Sequence, residues 1–251
     1  MYALGHMALG YLVVRLVDRV CGTRTSTWLA LTVGMVPDID LAFAWFGIEH
    51  HTYTHSLLLW LPFLVIVYWR KEYFAAYMGI LQHMLDDMLV GPVPILLPLS
   101  PLQVGFDFGV PSTVDTILEL SGLLVAASVA YLNGDMRRML SISKSSVLNF
   151  IPLSIMSSST LIASREFKVV LLDYAFSSKQ LTLISAAHII LAGFLGLSGV
   201  RGIQALAHPK KNSLRQRDLR RGHPTRARGV SCTSSQLLGW RRRRRRGRGK
   251  R

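Results

Sequence analysis

The chain has 251 residues, half of them hydrophobic, a mean hydropathy of +0.33 and a formal net charge of +15, which argues against an ordinary soluble domain and favours a membrane protein. The charge is uneven, since residues 208–251 hold 17 Lys and Arg against one acid, whereas residues 1–207 hold 12 Lys and Arg against 13 Asp and Glu. The two cysteines, Cys21 and Cys232, exclude a disulfide framework and a thiolate metal cluster.

The first two segments are apolar but short or interrupted. Met1–Val20 contains Arg15, Asp18 and Arg19, which predicts either a short span whose charges reach the lipid headgroups or an interfacial helix. It lacks the basic start of a signal peptide, so we expect it to remain in the mature chain. Trp28–Val36 is too short to span alone and ends at a proline, because the residue before a proline is disfavoured in the helical region.

The following segments alternate between helix and loop signals. Ser56–Trp69 is one of the three best candidates for a membrane span, short but extended by its flanks. Tyr73–Val90 is a further candidate, although it carries one histidine and two adjacent aspartates in its interior. Gly91–Gly109 contains four prolines and therefore predicts a loop or a broken segment.

The second half of the chain contains the most continuous apolar segments. Thr113–Leu132 and Leu181–Val200 reach the ~20 residues that cross a hydrocarbon core of roughly 30 Å, and Ser146–Ala163 is a weaker, serine-rich candidate. We predict an all-α, multi-pass transmembrane protein with about five to six membrane segments. Residues 1–105 form the membrane region with the candidate metal site, residues 106–207 add further transmembrane helices, and residues 208–251 form a basic, disordered tail.

The placement of Lys and Arg predicts the orientation. Basic residues follow the segments at 1–20, 56–69 and 113–132, and the basic tail follows the last segment. One topology puts all of them in the cytoplasm, with the N-terminus outside. Arg165, Lys168 and Lys179 would then lie outside and oppose this topology. The predicted location is the cell (plasma or inner) membrane.

Seven polar residues of the first 90 positions collect toward one side of the membrane in this topology. They are His6, Asp38, Asp40, His50, His55, His83 and Asp87. His83 and Asp87 are four apart and share one helix face. Because neutral imidazoles and carboxylates suit zinc or another divalent transition metal, with manganese and iron as further candidates, we expect a metal site of one or more ions.

Simpler interpretations exist for each of these residues. His83 and Asp87 could form a buried pair that only orients helices, and the two aspartates after Pro37 could be helix-end residues in solvent. Ionisable groups inside a membrane nevertheless cost ~2.5–3.5 kcal/mol for Asp at the centre. One shared site therefore explains the seven residues better than several independent roles.

Four ordered motifs carry a resemblance to a known family. They are Gly5-His6, Val36-Pro37-Asp38-Ile39-Asp40, His50-His51-Thr52-Tyr53-Thr54-His55-Ser56 and His83-Met84-Leu85-Asp86-Asp87. Over residues 1–105 this pattern resembles the YdjM-like family, described as LexA-binding, inner-membrane-associated metal-dependent hydrolases. The resemblance implies that the seven residues are metal ligands. One departure is His51, which stands where the family has arginine.

The function that these features predict is a membrane-bound, metal-dependent hydrolase. Asp40 or Asp86 would act as the general base, and a site at the bilayer face favours a lipid or lipid-linked ester as substrate. The ligand types are also loosely similar to those of zinc-dependent phospholipase C and P1-type nucleases, and this resemblance implies a phosphoester as a further substrate class. The first alternative is a divalent-metal transporter or channel. Asp115 and Glu119 could supplement the site of either the hydrolase or the transporter. A transport path needs polar residues at several depths, and the segments at 113–132 and 181–200 have few.

The basic tail predicts contact with anionic lipid or nucleic acid. A second alternative function is therefore a non-catalytic membrane anchor that binds DNA or a DNA-binding partner through residues 208–251. The tail could also be a solvated segment that only fixes orientation, or an artefact of the gene's end. No catalytic role is predicted for it.

Overall fold

The computed structural model describes residues 2–46, 50, 52–70, 73–109, 112–166 and 178–208. Within these residues the chain is helical and contains no β-strand, only an isolated antiparallel bridge between Val93 and Val104. The predicted all-α class is confirmed for this part of the chain. The predicted disorder of the basic tail concerns residues outside the described ranges, apart from His208.

The helices follow the predicted segments in chain order. They are α1 (Ala3–Cys21), α2 (Thr27–Thr32), α3 (Leu57–Trp60), α4 (Phe63–Trp69), α5 (Phe74–Val90), α6 (Thr113–Leu132), α7 (Asp135–Met139), α8 (Phe150–Glu166) and α9 (Lys179–Ala207). Short 3-10 turns occupy Val33–Met35, Pro37–Phe46, Tyr53–His55 and Lys144–Asn149. Between α5 and α6, residues 91–109 form the predicted loop.

The prediction of five to six membrane segments is not supported. Among the described residues, only α6 with 20 residues and α9 with 29 residues are long and apolar enough to cross a membrane. The other segments fail for physical reasons. The Ser56–Trp69 segment breaks into α3 and α4 at Pro62, whose ring cannot continue a helix interior. α5 has 17 residues and buries one histidine and two aspartates.

α1 lies at the centre of the helical assembly. It packs against α2, α5, α6 and the turn Val33–Met35, and its Leu4, Met7 and Val14 are completely buried. The turn approaches α1 unusually closely at Gly34, where an added Cβ would lie 2.1 Å from the carbonyl oxygen of His6. Only glycine fits this position. The N-terminal half of α1 is thereby held against the segment that carries the motif aspartates.

The start of α3 is fixed by the 91–109 loop. Ser56 caps the helix, since its Oγ accepts a hydrogen bond from the Leu58 amide (3.3 Å) and donates one to the Leu97 carbonyl oxygen (2.6 Å). The Leu57 amide donates to the Ile95 carbonyl oxygen (2.9 Å). These contacts hold the preceding turn, which carries Thr54 and His55, in one position beside α5.

Candidate metal centre

The structure brings the seven predicted residues into one cluster. α1 supplies His6, the turn Pro37–Phe46 supplies the two aspartates, and α5 supplies His83 and Asp87. His55 ends the turn Tyr53–His55, and His50 precedes this turn. Six of the seven side chains are buried, and His50 is 30% exposed, so the cluster reaches the surface at His50.

The Nε2 atoms of the histidines converge on Asp38 and Asp87. His83 Nε2 lies 3.2 Å from Asp38 Oδ1 and 3.0 Å from Asp87 Oδ2. His55 Nε2 lies 3.5 Å and 3.2 Å from the same two oxygens and 3.1 Å from His83 Nε2. His6 Nε2 lies 3.2 Å from Asp87 Oδ1, and His50 Nε2 is more distant, 3.8 Å from Asp38 Oδ1.

The Nδ1 atoms of the same histidines face acceptors on the outside of the cluster. His83 Nδ1 donates a hydrogen bond to the Gly34 carbonyl oxygen at 2.6 Å. Because a carbonyl oxygen can only accept, this bond places a proton on Nδ1, so that whenever the ring is neutral the Nε2 lone pair faces inward.

For the other three histidines, the group that faces Nδ1 is a carboxylate. Asp40 accepts from His50 Nδ1 at 2.9 Å and faces His55 Nδ1 at 3.3 Å, and it also accepts a hydrogen bond from the Thr54 hydroxyl at 2.7 Å. Asp86 Oδ2 lies 3.5 Å from His6 Nδ1. Asp40 and Asp86 thus lie behind the rings, whereas Asp38 and Asp87 lie among the inward nitrogens.

The spacing of the inward atoms fits a transition-metal ion. Two groups have donor atoms that all lie within 4.8 Å of one another, His6 with Asp38, His83 and Asp87, and Asp38 with His50 and His55. Bonds of about 2.0–2.1 Å in a tetrahedral site place neighbouring donors roughly 3.3 Å apart. The observed separations around His83 Nε2, 3.0–3.2 Å, are close to that value, and Asp38 belongs to both groups.

The electrostatics of the cluster depend on the histidines. Burial opposes ionisation of His55, but hydrogen bonds with Asp38, Asp40 and Asp87 outweigh it and raise the pKa of His55 to about 10. Burial would raise the pKa of Asp40, yet the contacts with His50 and His55 hold it well below its ordinary value. Without another cation, the cluster keeps its carboxylates ionised by holding protons on imidazole.

Two further acidic residues lie beside this cluster and were not among the predicted site residues. Asp115 and Glu119 of α6 are completely buried, and neither oxygen of Asp115 has a hydrogen-bond partner within the described chain. Glu119 accepts from the Tyr2 amide. Acidic residues four apart in an otherwise apolar span are the sequence signal that identifies them. His51, the departure from the motif, lies outside the described residues.

Comparison with known proteins identifies one family. A family model described as YdjM inner membrane protein matches residues 1–166, a range that includes every residue of the cluster. No curated protein and no solved structure shows significant similarity to the chain.

Proposed function

The chain belongs to the YdjM inner membrane protein family, and we propose that it is a membrane-bound hydrolase that depends on a divalent metal ion. One observation carries this proposal. The four histidines direct Nε2 toward Asp38 and Asp87, while their Nδ1 atoms face a carboxylate or a carbonyl oxygen. Histidines that ligate a metal almost always have such a partner for the second ring nitrogen, since it fixes the tautomer and the ring orientation.

The proposed ligands divide into two sets with one shared member. His6, His83 and Asp87 would hold one ion, His50 and His55 a second, and Asp38 belongs to both sets. Mixed imidazole and carboxylate donors favour zinc, with manganese and iron as the next candidates. When bound by these residues, a divalent ion would supply Lewis acidity and lower the pKa of water toward neutrality.

The other carboxylates of the cluster have positioning roles in this proposal. Asp40 holds the rings of two histidines and is itself held by Thr54, which favours a role in orienting ligands over the predicted roles of ligand or general base. Asp86 faces His6 Nδ1, and Gln82 donates a hydrogen bond to its other oxygen. Of the two predicted bases, Asp86 is the one whose Oδ2 has no hydrogen bond in the described chain, so it can accept a proton.

The surroundings of His50 favour a lipid or lipid-linked ester as substrate. His50 is the partly exposed member of the cluster. Large apolar side chains on the two turns that flank it, Ile39, Phe46 and Tyr53, are each more than half exposed. An amphipathic substrate would bury these side chains while its polar group reaches the histidines. A phosphoester is the second substrate class, since divalent ions stabilise its transferred oxygens.

The rival proposal is a divalent-metal transporter, and the buried acids of α6 are the observation that favours it. Asp115 and Glu119 continue the polar cluster into a candidate span, as a transport path requires. The continuation stops there, because no acidic, basic or histidine residue follows Glu119 up to Leu132. The non-catalytic anchor remains a prediction from the sequence, since residues 209–251 lie outside the described ranges.

Hydrolysis that depends on the metal tests the proposal. The full chain in detergent is stripped with chelator, reloaded with Zn²⁺, Mn²⁺ or Fe²⁺, and assayed on carboxylic esters, phosphate esters and phospholipid micelles. We expect turnover of at least one class after reloading and its loss in Asp38→Asn. The matched control is Asp107→Asn, an exposed loop aspartate, which should remain active. Activity that survives both the chelator and Asp38→Asn would contradict the proposal, and zinc uptake into vesicles without hydrolysis would favour the transporter.

A further inference from the structure

An open cavity of about 860 Å³ lies at the end of α1 opposite the metal centre. It lies between the C-terminal ends of α1 and α6 and is bordered by the start of α7. From His6 to Arg19 the axis of α1 advances about 20 Å at 1.5 Å per residue. The cavity is therefore a separate site from the cluster of histidines.

The floor of this cavity is a neutral network of charged side chains, buried or nearly so except for Arg138, which is 46% exposed. Arg15 donates to Asp135 (2.8 Å), to Asp18 (3.0 Å) and to the Thr25 carbonyl oxygen (2.7 Å). Arg138 pairs with the other oxygen of Asp135. Two arginines thus offset two aspartates, and the floor has no net charge to attract a ligand.

The rim of the cavity supplies two further positive charges. Arg19 and Arg24 line it and are exposed, and among the described residues neither has a carboxylate partner. The cavity therefore has two positive charges that its own acids do not offset. A bound group that complements them carries one or two negative charges.

One wall of the cavity is apolar. Leu12 and Leu16 of α1 face Val129 and Leu132 of α6 across it, and Leu16 and Leu132 are 63% and 80% exposed. A free phosphate ion would leave this wall in water. A molecule with an anionic group and a hydrocarbon chain would cover both the rim and the wall.

The position of the cavity along α6 matches the membrane surface. α6 has 20 residues and a mean hydropathy of 1.5, and a span of that length is about 30 Å long, so its end at Leu132 lies at headgroup depth. Basic pockets between membrane helices at this depth bind anionic headgroups. We propose that the cavity binds one anionic phospholipid, with its phosphate at Arg19 and Arg24 and an acyl chain along Leu16 and Leu132.

Native mass spectrometry of the full chain tests this proposal. The wild type, Arg19→Gln/Arg24→Gln and Arg137→Gln are titrated with phosphatidylglycerol, with phosphatidylcholine and with inorganic phosphate. Arg137 is the matched control, because it is exposed at the same end of the molecule but does not line the cavity. The basic tail is present in all three proteins and contributes the same background.

We expect one tightly retained phosphatidylglycerol in the wild type and in Arg137→Gln. In the double variant the affinity for this lipid should be roughly 30-fold weaker, because each arginine near an anionic headgroup contributes about fivefold in affinity. Phosphatidylcholine and inorganic phosphate should not compete at equal concentration. Equal retention by all three proteins would overturn the proposal and assign the binding to the tail. Displacement by inorganic phosphate would overturn the assignment to a lipid. Metal content serves as the folding check and should be equal in all three.

Discussion

The two ends of α1 both bury ionisable side chains, but they balance them in opposite ways. At the C-terminal end, Arg15 and Arg138 face Asp18 and Asp135, and permanent positive charges satisfy the carboxylates. At the N-terminal end, carboxylates face imidazoles instead. A network that balances itself acts as a brace between helices. A cluster whose positive charge depends on protons can exchange those protons for a metal ion.

Asp135→Ala should break the brace and have the largest effect on stability. Removing one partner of a buried pair leaves the Arg15 Nε–H and the Tyr11 hydroxyl without their acceptor, and such losses cost about 3–5 kcal/mol. Thermal unfolding in detergent measures this, with Asp107→Ala as the exposed control. The folded fraction of Asp135→Ala should still contain metal. Unfolding equal to that of the control would show that the network does not brace α1.

Gly34→Ala should disturb the N-terminal end instead. The new Cβ would overlap the His6 carbonyl oxygen, and overpacking of a close contact costs about 1–3 kcal/mol or more. Because Gly34 also accepts from His83 Nδ1, we expect metal content to fall together with stability. Gly193→Ala, which meets no atom within 4 Å, should be neutral or slightly stabilising. Full metal content in Gly34→Ala would contradict the assigned position of His83.

Asp40→Asn should weaken metal binding without removing it. The carboxylate that orients two histidines is replaced by a neutral amide, and changes to such partners lower metal affinity by about 10–100-fold. Competition against a chromogenic chelator measures the affinity, with Asp107→Asn as control. Complete loss of metal would indicate that Asp40 is itself a ligand, as the sequence predicted.

The pH dependence should separate metal affinity from the stability of the metal-free protein. The folded-state pKa of His55 is raised to about 10, so its stabilising contribution is fully present below about pH 6.5, its ordinary pKa, and is lost as pH rises through about 10. Metal must displace that proton, so affinity should rise by up to about tenfold per pH unit for each proton released. Isothermal titration in buffers of different ionisation enthalpy counts the protons. Affinity that does not change between pH 6 and 9 would exclude His55 as a ligand.

The sequence predicted much of this arrangement because the ordered motifs are local and the helix signals are long. The bounds of α6 match the predicted segment, and all seven motif residues lie in one cluster, although their ligand roles stay predictions. The different placement of Asp38 and Asp40 could not be predicted. They are two residues apart in a 3-10 turn, and only the packed positions of the rings show which carboxylate meets Nε2 and which meets Nδ1.

The predicted number of spans is not supported, because hydropathy carries less information than the ordered motifs do. Hydropathy identifies apolar segments but does not show where their charged positions are used. α1 and α5 appeared as interrupted spans, whereas their charged residues form the two buried networks. Asp115 and Glu119 were outside the predicted site because they belong to a different region of the chain, and only packing of α6 on α1 brings them beside it.

Metal content tests the central claim most directly. Elemental mass spectrometry on detergent-purified wild type, His55→Ala, His83→Ala and the control His188→Ala, a histidine of α9 outside the cluster, gives the stoichiometry of each protein. The account predicts stoichiometric zinc, manganese or iron in the wild type and in His188→Ala, reduced or lost in the two cluster variants. Wild type that contains no metal after reconstitution, or cluster variants that retain the full amount, would contradict it.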